Sequence, residues 1–174
     1  MEEIKRMQDN LLLIRRTVGW TAAEFGDKIG VTRQTINNIE NGRNRLNKTQ
    51  YIAMRSVLDA EIHSCPEDTE MLKTLLEVLV DNPENYSEET RAELADKANL
   101  MAPGILVGSA SREKVSSEWM TVAAAVIGAT LLSSAVGAIG GVAVSNWLCK
   151  LAGKSRKNKE PEASVKEKEE MNEE

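Results

Sequence analysis

Arg33, Gln34, Asn37 and Asn38 stand within six residues of one another, and Arg43, Arg45 and Lys48 follow within the next ten. An arginine offers two parallel N–H donors to the O6/N7 edge of guanine, and an amide side chain donates and accepts together against the N6/N7 edge of adenine. Cations a few residues further on suit phosphate oxygens, which take positive charge without conveying sequence. The pattern is that of a surface able to read double-stranded DNA, with base-reading groups first and phosphate anchors beside them. Other chemistries find little material. One His, and two Cys that lie 84 residues apart, provide neither a disulfide framework nor an ordinary metal-ligand set. The acidic pairs Asp81/Glu84 and Glu88/Glu89 have no nucleophile or His beside them and read as solvated helix surface. No catalytic residue, metal, cofactor or small-molecule substrate is expected, and the chain is not expected to be an enzyme.

For Arg33, Gln34, Asn37 and Asn38 to share one face they must be helical. The apolar residues agree: Phe25, Ile29, Val31, Ile36 and Ile39 fall inward if two short helices meet at Ile29-Gly30-Val31-Thr32. Thr21 with Glu24 three residues later predicts a capping box at the first helix, and Thr32 caps the second over about 33–40. Asn41-Gly42 ends it, since both residues accept positive φ. Upstream, Ile4, Met7, Leu11, Ile14 and Val18 predict one amphipathic helix over 4–18, stopped by Gly19. Downstream, a helix fits 48–60 with Ile52, Val57 and Leu58 as its apolar positions.

The run V-T-R-Q-T-I-N-N-I-E-N-G-R over 31–43 closely resembles the lambda-repressor-like, Cro-type helix-turn-helix family, also called the xenobiotic-response-element family, and the resemblance covers about residues 7–60. It implies a compact all-α domain of four or five helices with the 33–40 helix in the major groove. It also implies that Arg33, Gln34 and Asn38 face bases, that Thr32, Arg43 and Arg45 approach the backbone, and that Arg15 pairs with Glu40. Two positions depart from the family. Ala22 replaces a common phosphate-binding Gln, and Gly26 replaces Ala at a cost in helix propensity of ~1 kcal/mol.

The net charge of −5 is unevenly spread. Residues 1–65 carry +2 and residues 66–118 carry −7, while 119–174 balance with cations first and Glu after. An acidic helix is predicted over 67–80, broken by Asn82-Pro83, then another from Ser87 to about Leu100, and a linker of small residues from Pro103-Gly104. The charge of this acidic pair would turn it away from phosphate.

Trp119 to Cys149 is a run of 31 residues without a charge. As a helix it would be about 46 Å long against a hydrocarbon core of ~30 Å, long enough to span a bilayer once, with Trp119 and Trp147 as interfacial anchors. Ala125, Ala129, Ser133, Gly137, Gly141 and Ser145 recur every four residues, a stripe that resembles the glycine-zipper pattern and would let two helices approach closely. Val122, Val126 and Ile127, off the stripe, would face lipid or other helices. The positive-inside rule runs against a single span with the DNA-reading end in the cytoplasm, because five Lys/Arg follow Cys149 and only Arg112 and Lys114 precede Trp119 closely. Three arrangements would resolve the conflict: a folded N-terminal domain that fixes the orientation despite the charges, a re-entrant hairpin, or packing in a soluble assembly.

The expected architecture is all-α: a helix-turn-helix DNA-binding domain (1–65), an acidic helical hairpin (66–101), a linker (102–118), a hydrophobic, transmembrane or membrane-associated segment (119–149) and a charged disordered tail (150–174). The expected function is a sequence-specific DNA-binding transcriptional regulator, tethered to the membrane or oligomerised through the small-residue helix. Its partners would be double-stranded DNA, a second copy of itself and the lipid bilayer. The expected location is the cytoplasmic membrane with the N-terminal domain in the cytoplasm, or the cytoplasm. Alternatives are a membrane effector of pore-forming or defence type with a helix-turn-helix sensor, and a soluble oligomeric scaffold.

Overall fold

Every regular element among the described residues is helical. The computed structural model describes residues 2–133, with side chains to residue 128. In order these are α1 (Glu2–Asp9), α2 (Leu11–Thr17), α3 (Ala22–Ile29), α4 (Arg33–Glu40), α5 (Lys48–Ser64), α6 (Glu70–Leu76), α7 (Glu88–Leu106) and α8 (Arg112–Ser133). A π-helical turn, Glu77–Asp81, extends α6, and a 3₁₀ turn, Pro83–Asn85, precedes α7.

The helix expected over 4–18 is interrupted at Asn10. Its side-chain amide donates to the Arg6 carbonyl at 2.8 Å, while its own backbone N–H reaches the same oxygen at 3.2 Å. That local bond competes with regular helix geometry. The apolar positions keep their face: Met7, Leu11 and Ile14 are fully buried and Val18 nearly so. Gly19 then turns the chain at φ +76°, and a Cβ there would come within 2.9 Å of Ile105 on α7. At α5 the expected apolar face holds at Leu58 and fails at Ile52. Met54 and Leu58 are buried, whereas Ile52 is 52% exposed.

The acidic stretch does not stand apart from the N-terminal helices. Met71, Leu72, Leu75, Leu76 and Leu79 point inward, and α2 packs along α7. Within the widened turn after α6, the Val80 carbonyl accepts from Arg6 Nε at 2.8 Å. Asp81 beside it takes both terminal nitrogens of Arg55, at 2.6 and 2.8 Å. Further along, Arg112 at the start of α8 donates to Glu61 of α5 at 2.7 Å. The described residues belong to one compact unit, so the stretches read as 1–65, 66–101 and 102–118 pack together. The exposed acids Glu88, Glu89, Glu93 and Asp96 remain on the outer side of α7.

The stretch expected as a linker is mostly helix. α7 runs through Pro103 and ends at Leu106, and Gly108 just beyond it takes φ +72°. The N–H that Pro103 lacks would have served Asn99, an exposed residue whose carbonyl can meet water instead.

The reading of Trp119 as an interfacial anchor is corrected by the core of α8. Trp119 and Ala123 are fully buried, and Val115, Val126 and Ile127 are buried as well. These residues recur at three and four along one side of a helix that packs on α6 and α7. Val126 and Ile127, expected to face lipid or other helices, thus pack within the unit that also holds the N-terminal helices. Ala125 of the small-residue stripe lies on the exposed side. The side chains of Ala129 and Ser133, and all of Gly137, Gly141 and Ser145, lie outside the described residues, as do Trp147, Cys149 and the tail. Among the described residues no helix is long and apolar enough to cross a membrane.

Candidate nucleic-acid interface

The angle between α3 and α4 begins with the caps. Thr21 Oγ1 accepts from the Glu24 N–H at 3.2 Å, and the Glu24 carboxylate accepts from the Thr21 N–H at 2.7 Å. This reciprocal pair satisfies two donors that a helix start leaves free. The backbone bond from Thr21 holds the Glu24 carboxyl below the usual carboxylate range. Trp20, just before the cap, stacks on Phe25 with ring centroids 5.8 Å apart, a hydrophobic staple that sets the entry of the chain into α3. Lys28 Nζ sits 4.5 Å from the Trp20 ring centroid.

α3 ends at Gly30 with φ +75°. The Val31 N–H then returns to the Gly26 carbonyl at 2.9 Å. The return is so close that a Cβ on Gly26 would lie 2.6 Å from the Val31 carbonyl oxygen. Gly26 is therefore a packing requirement of the turn, not merely a weak helix former. Thr32 opens α4, accepting from the Thr35 N–H at 3.2 Å and touching the Thr35 hydroxyl at 3.0 Å. Its hydroxyl serves the cap, while the residue itself stays exposed.

α4 turns Ile36 and Ile39 into the core at 0% and 1% exposure. Arg33 and Gln34 are exposed, and Asn37 and Asn38 are partly so. Gln34 Nε2 donates to Asn38 Oδ1 at 2.9 Å, so two amide groups expected to face bases are already aligned one turn apart. Arg43, Arg45 and Lys48 are all exposed beyond the helix end.

Glu40 closes α4, and Arg15 meets it in a bidentate pair with Nε–Oε1 2.6 Å and Nη2–Oε2 3.1 Å. The two side chains are only 7% and 6% exposed. Arg15 Nη1 also donates to the Trp20 carbonyl at 2.7 Å, tying α2, the entry to α3 and the end of α4 together. Glu40 is the single acid in residues 32–48. With its charge held inside by Arg15, the surface from Thr32 to Lys48 presents four cations and no exposed carboxylate.

The loop 41–47 is held by a residue that the sequence reading did not single out. Gln8 of α1 donates to the carbonyls of Asn44 at 2.8 Å and Ile39 at 3.0 Å, and accepts from the Leu46 N–H at 2.9 Å. Its partners are more than thirty residues away, so no local motif marks it.

Residues 11–62 match the family described as Helix-turn-helix. Antitoxin HipB of Escherichia coli (strain K12) is 30% identical over 71 residues, a match that takes in 37% of this chain and 81% of HipB. No solved structure matches the chain.

Proposed function

We propose that this chain, which belongs to the helix-turn-helix family through residues 11–62, is a sequence-specific DNA-binding transcriptional regulator without enzymatic activity. α4 enters the major groove, with Arg33, Gln34, Asn37 and Asn38 against base edges. Arg43, Arg45 and Lys48 take phosphates beside the groove and set register and orientation. Thr32 approaches the backbone at the start of α4.

The observation that carries this reading is the two-sided character of α4. Its inner side is fixed by Ile36, Ile39 and the Arg15–Glu40 pair. Its outer side keeps bidentate donors and acceptors in solvent, with cations beyond them. Such groups on a rigid helix need little ordering on binding, which favours specificity. One such helix covers one half-site, so the acting form is a dimer or higher, with half-sites about one helical turn apart. The match to a protein named an antitoxin agrees with a regulatory role for the domain the two chains share.

The test is selection of duplexes from a random pool by the full chain, because α2 and α5 are fastened to α7 and Asp81. Enrichment of a sequence with two related half-sites is the expected result. A pool that stays random after repeated rounds at low salt would end this reading.

A further inference from the structure

The loop 41–47 has no helix or strand to hold it, yet it carries Arg43 and Arg45. Its backbone groups need partners. Arg43 N–H and Asn44 N–H find theirs close by, donating to the Asn38 carbonyl at 2.8 and 3.1 Å. The Asn44 carbonyl and the Leu46 N–H are both met by the Gln8 amide, at 2.8 and 2.9 Å. These two groups flank Arg45 on either side. The amide thus does for this stretch what a neighbouring strand does in a sheet, giving and receiving one hydrogen bond around a single residue. Leu46 is turned inward at 6% exposure, and Arg45 is left exposed. The same amide nitrogen reaches the Ile39 carbonyl at 3.0 Å, in the last turn of α4.

We propose that Gln8 is a positioning residue for DNA binding, which fixes the backbone at Arg45 relative to α4 so that the phosphate contact is made without first ordering the loop. The proposal rests on the DNA-binding reading above. Gln8 itself touches no DNA. Without it the loop must be ordered during binding, and the phosphate contact of Arg45 is weakened by that ordering.

The experiment titrates the full chain with its selected duplex and with a scrambled duplex over a range of salt, for wild type, Gln8→Ala, Arg45→Ala and the double variant. Gln8→Ala is expected to weaken both duplexes alike, by about three- to tenfold. The slope of log K against log salt is expected to become shallower by up to ~0.9, one phosphate's share. In the Arg45→Ala background the Gln8 change is expected to alter affinity by less than about twofold, since the contact it supports is already gone. A merely structural role would lower the melting temperature, leave the salt slope of the folded protein unchanged and add in full to Arg45→Ala; that result overturns the proposal. Gln8→Glu, which keeps the acceptor for Leu46 and loses both donors, is the second variant. Hydrogen exchange at the Leu46 amide of the wild type is a check that needs no variant: protection is expected, and exchange at the free-chain rate refutes the clamp. If wild type binds no duplex at all, the DNA-binding reading fails, whatever the state of Leu46.

Discussion

Gly26→Ala separates two accounts of the same residue with opposite signs. Helix propensity alone makes the change favourable by ~1 kcal/mol. The turn after α3 makes it unfavourable. A Cβ on Gly26 would lie 2.6 Å from the Val31 carbonyl oxygen, 3.3 Å from the Thr32 carbonyl carbon and 3.4 Å from the Arg33 nitrogen. All three neighbours are backbone atoms, so no rotamer change relieves the contact. Relief requires α4 to move away from α3, which strains the 2.9 Å bond from the Val31 N–H to the Gly26 carbonyl. Overpacking of this kind costs ~1–3 kcal/mol, and loss of the bond ~1 kcal/mol more. Against the propensity gain, the net destabilisation is about 2 kcal/mol, or roughly 4–8 °C in melting temperature for a chain of this size. Circular dichroism melts of the full chain, wild type beside variant, measure it. Gly30→Ala is the contrast, since that position has φ +75° and no neighbour within 4 Å. There the cost is conformational alone, ~1–2 kcal/mol. A Gly26→Ala protein that melts above wild type would refute the close-approach argument.

Arg15→Met should destabilise by ~3–5 kcal/mol in urea unfolding, because Glu40 is left buried and unpaired, and adding Glu40→Leu should recover most of that loss. Full additivity of the two changes would contradict the pairing argument. The depressed carboxyl of Glu24 makes a contribution to stability that is present above its unfolded pKa and lost as pH falls through the folded value. Glu24→Gln should therefore flatten the acid limb of a stability profile, and an unchanged limb would exclude the capping box as its source. Tyr51 behaves in the opposite sense. Burial, then its hydrogen bond to Glu3, push its hydroxyl up to about 12, so its contribution is complete below pH 10 and fades as pH rises toward 12. Tyr51→Phe should remove that alkaline loss in a melt series, and a persistent loss would place its origin elsewhere.

Much of the helix-turn-helix was legible because its determinants are local. Thr21 and Glu24, Thr32, and the glycines at 30 and 42 act within a turn of themselves. Phe25, Ile36 and Ile39 declare their side by spacing. The Arg15–Glu40 pair spans 25 residues and was reached only through resemblance. What stayed hidden depends on long-range approach. Gly26 looked like a propensity defect, since nothing in its neighbours reveals that Val31 folds back over it. Gln8 carried no local signal, because its partners lie 31, 36 and 38 residues away. Within the uncharged run, Trp119 was misread as an anchor. Absence of charge is shared by a membrane span and a helix buried on one side, and Trp119 fits either. Burial of Trp119, Ala123, Val126 and Ile127 in a helix that packs on α6 and α7 belongs to tertiary packing, and the matching apolar face of α6 lies far earlier in the chain, at Met71, Leu72, Leu75 and Leu76.

The most direct test of the central claim is the ratio of affinities for selected and scrambled duplex, measured with the full chain for wild type, Arg33→Ala and Arg45→Ala. The account assigns base reading to Arg33 and phosphate binding to Arg45. Arg33→Ala should shrink the ratio by ~1–3 kcal/mol of discrimination. Arg45→Ala should weaken both duplexes and leave the ratio as in wild type. A ratio untouched by Arg33→Ala, or lowered equally by both substitutions, would contradict the claim that the outer face of α4 reads bases.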